Sequence, residues 1–514
     1  MRKLFVIFIA LLVFPVVYSQ ESVVISVDTD VETTKIPKEI YGQFAEHLGR
    51  CIYDGIWVGS DSDIPNIDGY RKDIVEALKE LKIPVLRWPG GCFADTYHWK
   101  DGIGPRADRP KIKNVFWGGT IEDNSFGTNE FFNLCEILGC EPYLSANVGS
   151  GSVKEMAEWI EYITSDEDTP MANLRRENGR EDPWHLKYIG VGNESWGCGG
   201  DMTPEYYSDL YRQYSGYCRL YSAERPYRVA CGANSWDSHW TDVVMGKAAR
   251  FMEGISVHYY TIAGRGWRDK GPGRDFNEDL YFSGLRKGLM MDSLIRKHKV
   301  EMDKHDSRNR VGLLVDEWGI WTDVEEGTIP GHLFQQNTLR DALIASTTLD
   351  IFHRHTDRVV MANIAQVVNV LQAMVLTKDD IMVLTPTYHV FNMYKVHQDA
   401  EFIPVNFESP LYTYGDQSIP AISCTLSKSK DNKVHFTVSN LDPLNSQNVE
   451  LPLTSLKIEK VIASTVLTSE KFNDYNSFEN INKVKPATLD GVKFKKGILK
   501  VTLPPKSIVG IELQ

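Results

Sequence analysis

Eight short apolar segments, separated by helical patterns, most constrain the fold of this chain. One helical pattern places Ile74, Val75, Leu78 and Leu81 at positions i, i+1, i+4 and i+7, which gives a single apolar face. Such alternation of strands and helices is typical of a parallel barrel, and it predicts a (β/α)8 TIM barrel over residues 38–386. The predicted strands are 40–44, 85–88, 143–148, 186–192, 228–232, 255–260, 312–317 and 359–365.

A doubly wound open sheet is the alternative for the same alternation. Sheets of that kind bind a phosphate at a glycine-rich turn that leads directly into a helix. Here Gly190 and Gly192 lack the third glycine, and Asn193-Glu194 follows them instead of a helix start. The barrel is therefore the favoured fold.

The pattern changes near residue 388, where apolar residues alternate with polar ones at a period of two. Val434, Phe436 and Val438 show it clearly, and turn signals such as Asp490-Gly491 separate the runs. This predicts an all-β sandwich, jelly-roll-like, over residues 387–514, with no convincing helix. Val23, Ile25 and Val27 alternate in the same way, so residues 20–37 are expected to add an N-terminal strand to it.

The N-terminus has the composition of a secretory signal. Arg2 and Lys3 precede an apolar run from 4 to 17 that is short for a membrane span. We therefore expect a signal peptide at 1–19 and an exported protein, periplasmic or extracellular, with no membrane attachment after cleavage. The net charge of −13 argues against nucleic acid as a partner and is compatible with a neutral polysaccharide.

The chain has eight cysteines. None forms a Cys-x-x-Cys pair, and no Cys/His cluster has the spacing of a zinc site. We expect most of them to be buried free thiols, although export would permit disulfides.

Two glutamates follow predicted strands and have tryptophans close behind. Glu194 precedes Trp196, and Glu317 precedes Trp318. Glycoside hydrolysis needs one carboxylic acid to protonate the leaving oxygen and a second carboxylate to attack C1 or activate water. Because sugar rings have apolar faces that pack on aromatic surfaces, the tryptophans fit this chemistry. The residues alone indicate the pair but not which glutamate has which role.

Other strand ends carry polar side chains as well, and the carboxyl ends of barrel strands are where active sites lie. They include Glu46, Arg87, Asn193, Tyr260 and Gln366. Side chains of this kind can hydrogen-bond sugar hydroxyls.

Six motifs resemble glycoside hydrolase family 51, the α-L-arabinofuranosidases. The resemblance covers roughly residues 38–400, and together the motifs are highly specific. They are YGQFAEHLGR at 41–50, LRWPGG at 86–91, DGIGP at 101–105, GVGNE at 190–194, DEW at 316–318 and ANIAQVVNV at 362–370.

The resemblance implies a retaining exo-glycosidase that removes terminal α-L-arabinofuranosyl units from arabinose-containing oligosaccharides or polysaccharides. Glu194 would be the acid/base and Glu317 the nucleophile, supported by Arg87. No metal or organic cofactor is expected, because protonation and covalent attack need neither. The resemblance also implies a homo-oligomer, often a hexamer. The furanose would be bound by Glu46, Asn193, Tyr260 and Gln366, and walled by Trp117 and Trp321.

One position departs from the family. Many members have Asn after Pro-Gly-Gly, and Cys92 here would make a weaker contact with the sugar.

Two other functions stay open on the sequence. The barrel could belong to an endo-acting β-glucanase or xylanase, or the protein could bind glycans without catalysis. His258 is expected to be a core or supporting histidine rather than an acid or base. A slip of one residue in the strand could exchange the roles of Tyr259 and Tyr260.

Overall fold

The computed structural model describes residues 22–219, 221 and 224–514 of the chain. The predicted signal peptide at 1–19 lies outside the described residues. None of the helices in the described part is both long and apolar enough to cross a bilayer.

Eight parallel strands close into a barrel in the order in which they occur along the chain. The predicted (β/α)8 barrel is confirmed, and an open sheet is excluded because the eighth strand pairs with the first. We number these barrel strands one to eight; they are Gly42–Phe44, Val85–Trp88, Glu141–Ala146, Tyr188–Val191, Tyr227–Asn234, Gly254–Thr261, Gly312–Ile320 and Val359–Ala365.

Helices connect the barrel strands and pack around them. The helix Lys72–Leu81 buries the predicted apolar face, and it ends where Lys82 adopts a left-handed conformation. The other helices are Thr128–Leu138, Val153–Thr164, Pro170–Glu177, Pro204–Tyr217, Ser238–Ala248, Glu278–Leu289, Met291–His305, Leu339–Arg354 and Pro386–Tyr394.

The strand-rich C-terminal region forms two sheets around their own apolar core, which includes Phe436, Leu451 and Val501. One sheet contains Val23–Val24, Gln447–Pro452, Ile498–Leu503 and Lys493–Lys495. The other contains Ala487–Thr488, Val461–Leu467, Ser507–Leu513, Val434–Asn440, Ile422–Lys428, Glu401–Phe402 and Thr34–Lys35. Each sheet therefore takes one strand from the N-terminal segment, where a single strand was predicted.

The remaining strands of the described residues form separate two-stranded antiparallel sheets. They pair Ser26–Val27 with Val405–Asn406, Asn66–Ile67 with Tyr70–Arg71, Ile112–Lys113 with Ile121–Glu122, Val375–Lys378 with Ile381–Leu384, and Leu411–Tyr414 with Gln417–Pro420.

One expectation about the C-terminal region is wrong. No helix was expected after residue 388, but Pro386–Tyr394 is helical. Its start carries an ordinary signal, because the Thr385 side chain accepts a hydrogen bond from the backbone N–H of Tyr388 and Pro386 occupies the first turn. The helix is buried on most sides, so it lacks the clear apolar stripe by which a surface helix is recognised.

Helix Leu339–Arg354 joins the barrel to the sheets through buried polar contacts. Asp350 accepts hydrogen bonds from Ser423 Oγ at 2.6 Å and Thr425 Oγ1 at 2.7 Å. Burial raises the pKa of Asp350 to about 6, and the two hydroxyls oppose that rise. Because these groups lose water on folding, each needs its partner, and the contacts fix how the sheets sit against the barrel.

Candidate active site

Glu194 lies where barrel strand four ends and the backbone turns out of the sheet. Gly192 has φ of 88° and Glu194 has φ of 40°, so two residues near this turn are left-handed. The turn is held because the N–H groups of Gly197 and Gly199 donate to the Glu194 carbonyl at 2.7 and 3.1 Å. The side chain stays 19% exposed, and its carboxylate faces the open end of the barrel.

A bulge in barrel strand seven points two consecutive acidic side chains to the same side. Val257 pairs with Val315, but the next residue, His258, pairs with Glu317, so Asp316 is the extra residue. In a regular strand, residues 316 and 317 would point to opposite faces. Here Asp316 accepts hydrogen bonds inside the barrel from Tyr143 Oη at 2.6 Å and Asn363 Nδ2 at 3.1 Å. Glu317 can therefore point inward one level above it.

Both oxygens of Glu317 are held by neighbouring side chains. Arg87 Nη1 donates to Oε1 at 2.9 Å, and Tyr260 Oη donates to Oε2 at 2.9 Å. Arg87 also donates to Asn193 Oδ1 at 2.5 Å. Tyr259 instead donates to the Lys287 carbonyl, so strand alternation places Tyr260, as expected, at the site. The carboxylate is thus fixed in one orientation.

His258 lies between the two glutamates. Its Nδ1 is 2.9 Å from Glu194 Oε1 and 3.5 Å from Glu317 Oε2. One oxygen of each carboxylate and a ring nitrogen of His258 all lie within 4.8 Å of one another. Carboxyl groups stand about 5 to 5.5 Å apart in retaining glycosidases and about 6.5 to 9.5 Å apart in inverting ones. The nearest oxygens of Glu194 and Glu317 are thus closer than the inverting range, which agrees with the retaining class.

The surroundings shift the pKa values of the two glutamates in opposite directions. Burial and the charge of Glu317 raise the pKa of Glu194, against the opposing effect of its contact with His258. Burial alone would raise the pKa of Glu317 too, but the charges of His258 and Arg87 and its hydrogen bonds bring it below its ordinary value. Of the two carboxyl groups, Glu194 therefore holds a proton more readily than Glu317.

Glu46 forms a second buried group at the ends of barrel strands one and eight. Its carboxylate accepts hydrogen bonds from Phe93 N at 3.1 Å, Trp117 Nε1 at 2.8 Å and Gln366 Nε2 at 2.9 Å. Burial and the nearby charge of Glu317 raise the pKa of Glu46 to about 7, and these three donors limit the rise. Glu46 does not pair with His47, which faces Glu122 instead.

Two glycines make room for these carboxylates. A Cβ atom on Gly90 would lie 2.5 Å from Glu46 Cγ, and one on Gly91 would lie 3.0 Å from Glu317 Oε1. The Pro-Gly-Gly sequence after barrel strand two therefore has a steric purpose at this site. It lets the backbone approach both acidic groups closely.

Some buried polar atoms at the site have unused hydrogen-bonding capacity. Asn193 Nδ2 and Gln366 Oε1 are buried and find no partner within the part of the chain that is described. Buried polar atoms rarely stay unpaired in folded proteins. A donor and an acceptor are thus available for a polar ligand such as a sugar hydroxyl.

Cys92 differs from its expected state. Its sulfur forms a disulfide with Cys198, which joins the loops after barrel strands two and four. The sulfurs of Cys92 and Cys198 lie 4.0 and 3.6 Å from Glu194 Oε2. A disulfide has no S–H to donate, so the weak polar contact expected of Cys92 gives way to an apolar wall beside Glu194. The other six cysteines are free, and all but Cys140 are buried, as expected.

All ten predicted site residues meet at the open end of the barrel. Trp321 joins them through an edge-to-face contact with Tyr260, with ring centroids 5.0 Å apart. Asp316 was expected only as part of the DEW motif, without a role, and His258 only as a core or supporting residue. Nothing in the sequence around Cys92 indicated Cys198 as its partner.

Two groups of residues could hold a cation by distance alone among the residues described. They are Glu194, His258 and Glu317, and the reduced form of Cys92 and Cys198 together with Glu194. In the first group each oxygen of Glu317 already accepts a hydrogen bond, one from Arg87 and one from Tyr260. The expectation that no metal is needed stays a prediction.

Comparisons with known proteins agree with this geometry. Residues 77–229 match the model of the α-L-arabinofuranosidase 1 domain, and residues 316–507 match that of the α-L-arabinofuranosidase C-terminal domain. A protein of Bacteroides ovatus, the "Intracellular exo-alpha-L-arabinofuranosidase", is 58% identical over 498 residues, which is 96% of both chains. The chain belongs to glycoside hydrolase family 51. It is one of the α-L-arabinofuranosidases.

Solved structures of family 51 arabinofuranosidases have the same fold. The enzyme from Xanthomonas axonopodis pv. citri is 45% identical with a TM-score of 0.94, and the match covers 96% of this chain and 100% of that one. The arabinose complex of the Thermotoga maritima enzyme is 31% identical with a TM-score of 0.83, covering 96% of this chain and 99% of that one.

The prediction of an exported protein is contradicted by these comparisons. The Bacteroides ovatus relative, at 58% identity, is named intracellular. The prediction used only the composition of the N-terminus, namely Arg2 and Lys3 followed by a short apolar run. Composition alone does not determine the location of a protein. The signal peptide and the periplasmic or extracellular location are therefore not supported.

Replacing His258 by Gln should move both limbs of the pH profile. His258 lowers the pKa of Glu194 and that of Glu317, so its loss raises both values. With Glu317 as the predicted nucleophile and Glu194 as the predicted acid, activity is expected to fall when Glu317 gains a proton at low pH and when Glu194 loses one at high pH. Both limbs of kcat/KM for an aryl arabinofuranoside should therefore shift upward, by about one pH unit.

His305→Gln is the matched control, because that histidine also pairs with a carboxylate, Asp242, but on the surface. Its profile should equal that of the wild type. Limbs that stay in place in His258→Gln would show that this histidine does not set the proton affinities of the pair.

Replacing Cys198 by Ser should destabilise the protein. The disulfide spans 106 residues, and removing a cross-link of this length costs about 2–4 kcal/mol in the free energy of unfolding. Thermal and denaturant unfolding measure this loss, and reduction of the wild type by dithiothreitol should reproduce it. Cys140→Ser removes a free thiol and serves as control. Equal stability of oxidised and reduced wild type contradicts the prediction.

Proposed function

We propose that this protein is a retaining exo-hydrolase that releases terminal, non-reducing α-L-arabinofuranosyl units from arabinose-containing oligosaccharides and polysaccharides. The observation that carries the proposal is the pair of glutamates within 4.8 Å, one held ionised and the other inclined to keep its proton. The name of the Bacteroides ovatus relative, an exo-α-L-arabinofuranosidase, supports the same substrate.

In the first step, Glu317 attacks the anomeric carbon. A bond forms between a Glu317 oxygen and C1 while the bond from C1 to the leaving oxygen breaks, and Glu194 gives that oxygen its proton. Arg87 and Tyr260 keep Glu317 ionised and oriented before the attack. Their hydrogen bonds to Glu317 weaken during the attack, because the attacking oxygen loses its charge as the bond forms.

In the second step, water replaces the enzyme at C1. Glu194, now a carboxylate, takes a proton from the water, whose oxygen bonds to C1 while the C1–Glu317 bond breaks. Two displacements at one carbon return the sugar to its starting configuration. His258 contacts both carboxylates, so it is placed to stabilise Glu194 while that side chain is ionised between the steps.

The furanose is held on the side away from the leaving group. Glu46 and Gln366 form one hydrogen-bonded unit, and Asn193 Nδ2 and Gln366 Oε1 are free to meet hydroxyls. Trp117, Trp321 and the Cys92–Cys198 disulfide supply apolar walls. A pocket built in this way suits a single terminal sugar.

The rival functions are less well supported. An endo-acting β-glucanase or xylanase would share the barrel, and a family 44 xyloglucanase structure is indeed similar, with 13% identity and a TM-score of 0.59, which speaks for the fold alone. A non-catalytic glycan-binding protein would not need the opposed pKa shifts of the two glutamates.

We propose three further features. The natural substrates are plant-type arabinose polymers or their fragments, by analogy with the family. The domains are a barrel from residue 38 and a C-terminal sandwich that also takes the N-terminal segment, of which residues 22–37 are described. The helix Pro386–Tyr394 spans the 386/387 boundary drawn from the sequence, so we place the division after that helix. The protein forms a homo-oligomer, often a hexamer in this family. Light scattering, which measures the mass of the assembly in solution, tests this.

Replacing Glu317 by Ala should lower kcat by about 10⁴-fold or more, because no other group at the site can form the covalent intermediate. Adding azide should restore turnover of an aryl α-L-arabinofuranoside and yield an arabinosyl azide of inverted configuration, identified by NMR. The control is Glu408→Ala, which removes an exposed carboxylate in the strand-rich C-terminal region. Near-wild-type rates in Glu317→Ala would remove this residue from the reaction.

Replacing Glu194 by Ala should depend on the leaving group. Poor leaving groups need the proton, so their kcat/KM should fall by about 10²–10⁴-fold, while activated aryl glycosides lose much less in the first step. Azide should here give a product of retained configuration, because it attacks the glycosyl-enzyme intermediate. An equal loss for all leaving groups would contradict the assignment of the proton donor.

A further inference from the structure

A cavity of about 520 Å³ opens beside Glu194. Its walls come from the loops after barrel strands four to seven and from helix Glu278–Leu289 and the residue that follows it. Its aromatic lining consists of Trp196, Trp236, Tyr259, Tyr260, Trp267 and Trp321.

The cavity lies on one side of the reacting centre. It shares Glu194, Tyr260 and Trp321 with the proposed furanose pocket, whereas Glu46 and Gln366 are not among the described residues that line it. A general acid must touch the oxygen of the group that leaves. A space that begins at Glu194 and extends away from Glu46 is therefore where the leaving group goes.

Aromatic rings form a continuous wall from the reacting centre to solvent. Tyr260, which donates to Glu317, meets Trp321 edge to face with centroids 5.0 Å apart, and Trp321 meets Trp267 with centroids 5.2 Å apart. Trp267 is 58% exposed, although it is a large apolar side chain. Exposed aromatic surface beside an active site is typical of a ligand-binding wall.

The opposite wall is held in place by hydrogen bonds. Trp196 Nε1 donates to the Gly232 carbonyl at 3.0 Å, and Trp236 packs edge to face on Tyr259. Lys287, the cation in this lining, donates to the Ile262 carbonyl at 2.8 Å and also to the Gly264 carbonyl. Its ammonium group is thus engaged by backbone oxygens, so the cavity favours a neutral ligand with apolar faces.

We propose that this cavity binds the leaving group as a neutral glycan of at least two sugar units, with Trp236 and Trp267 as residues that determine specificity. The proposal rests on the proposed function. The cavity volume is within the range of pockets that enclose whole drug-sized ligands. This volume is larger than a single sugar ring requires. Trp267 lies farther from the reacting centre than Trp321 does. The first sugar unit of the leaving group therefore cannot reach it, and only the second or a later unit can.

The experiment compares leaving groups of increasing length. The substrates are 4-nitrophenyl α-L-arabinofuranoside and arabinofuranosides carried on one to four units of either a (1→4)-xylo- or a (1→5)-arabino-oligosaccharide. In the wild type, kcat/KM should rise about tenfold from one to three units, chiefly through KM. The two series distinguish which neutral backbone the cavity accepts.

Trp267→Ala and Trp236→Ala should each remove most of this gain with length, and Trp267→Tyr should keep most of it because a ring remains. Tyr217→Ala is the control, since that exposed aromatic ends helix Pro204–Tyr217 at the opposite face of the barrel. Its gain with length should equal that of the wild type. Because Trp267 is exposed, its replacement leaves the packed core intact.

Two results overturn the proposal: a wild type whose kcat/KM does not depend on length, or a gain with length that survives both alanine variants. Arabinose would still be released in either case, so the proposed function would stand. Failure of the proposed function is a different result, namely no arabinose from any substrate in the panel.

Discussion

The contact between Arg87 and Glu317 is the constraint on which the rest of the site depends. Both side chains are almost fully buried, and an ion pair in that setting is costly unless its geometry is good and its remaining groups are paired. The barrel meets this condition except at Arg87 Nε, which is buried and has no hydrogen-bond partner among the described residues. Tyr260 holds the second oxygen of Glu317, and Asn193 accepts from the second terminal nitrogen of Arg87. Each partner comes from a different barrel strand, so the closed barrel itself supplies the geometry.

The bulge in barrel strand seven makes that contact possible. It turns Asp316 and Glu317 to the same side, and Tyr143 and Asn363 then satisfy Asp316 below the site. Without those two hydrogen bonds a second buried carboxylate would stand unpaired beside the first, at a cost of several kcal/mol. The layer beneath the site is therefore as necessary as the residues that face the sugar.

The difference between the two glutamates comes from their surroundings rather than from their chemistry. Glu317 accepts hydrogen bonds from Arg87 and Tyr260. Glu194 lies against the Cys92–Cys198 disulfide, and its hydrogen bond described above is with His258. A carboxyl group beside an apolar wall keeps its proton, and one beside a guanidinium loses it.

The sequence by itself determined the barrel and its eight strands, and it indicated the candidate site residues, of which Trp117 and Trp321 came only from the resemblance to the family. Alternating strands and helices leave few other folds, and polar residues at strand ends are recognisable without coordinates. Only the tertiary structure decided the bulge at Asp316, the position of His258 between the glutamates, the Cys92–Cys198 bridge and the aromatic cavity that includes Trp267. The reason is physical: each of these joins residues far apart in the chain, and local periodicity carries no information about which distant groups meet.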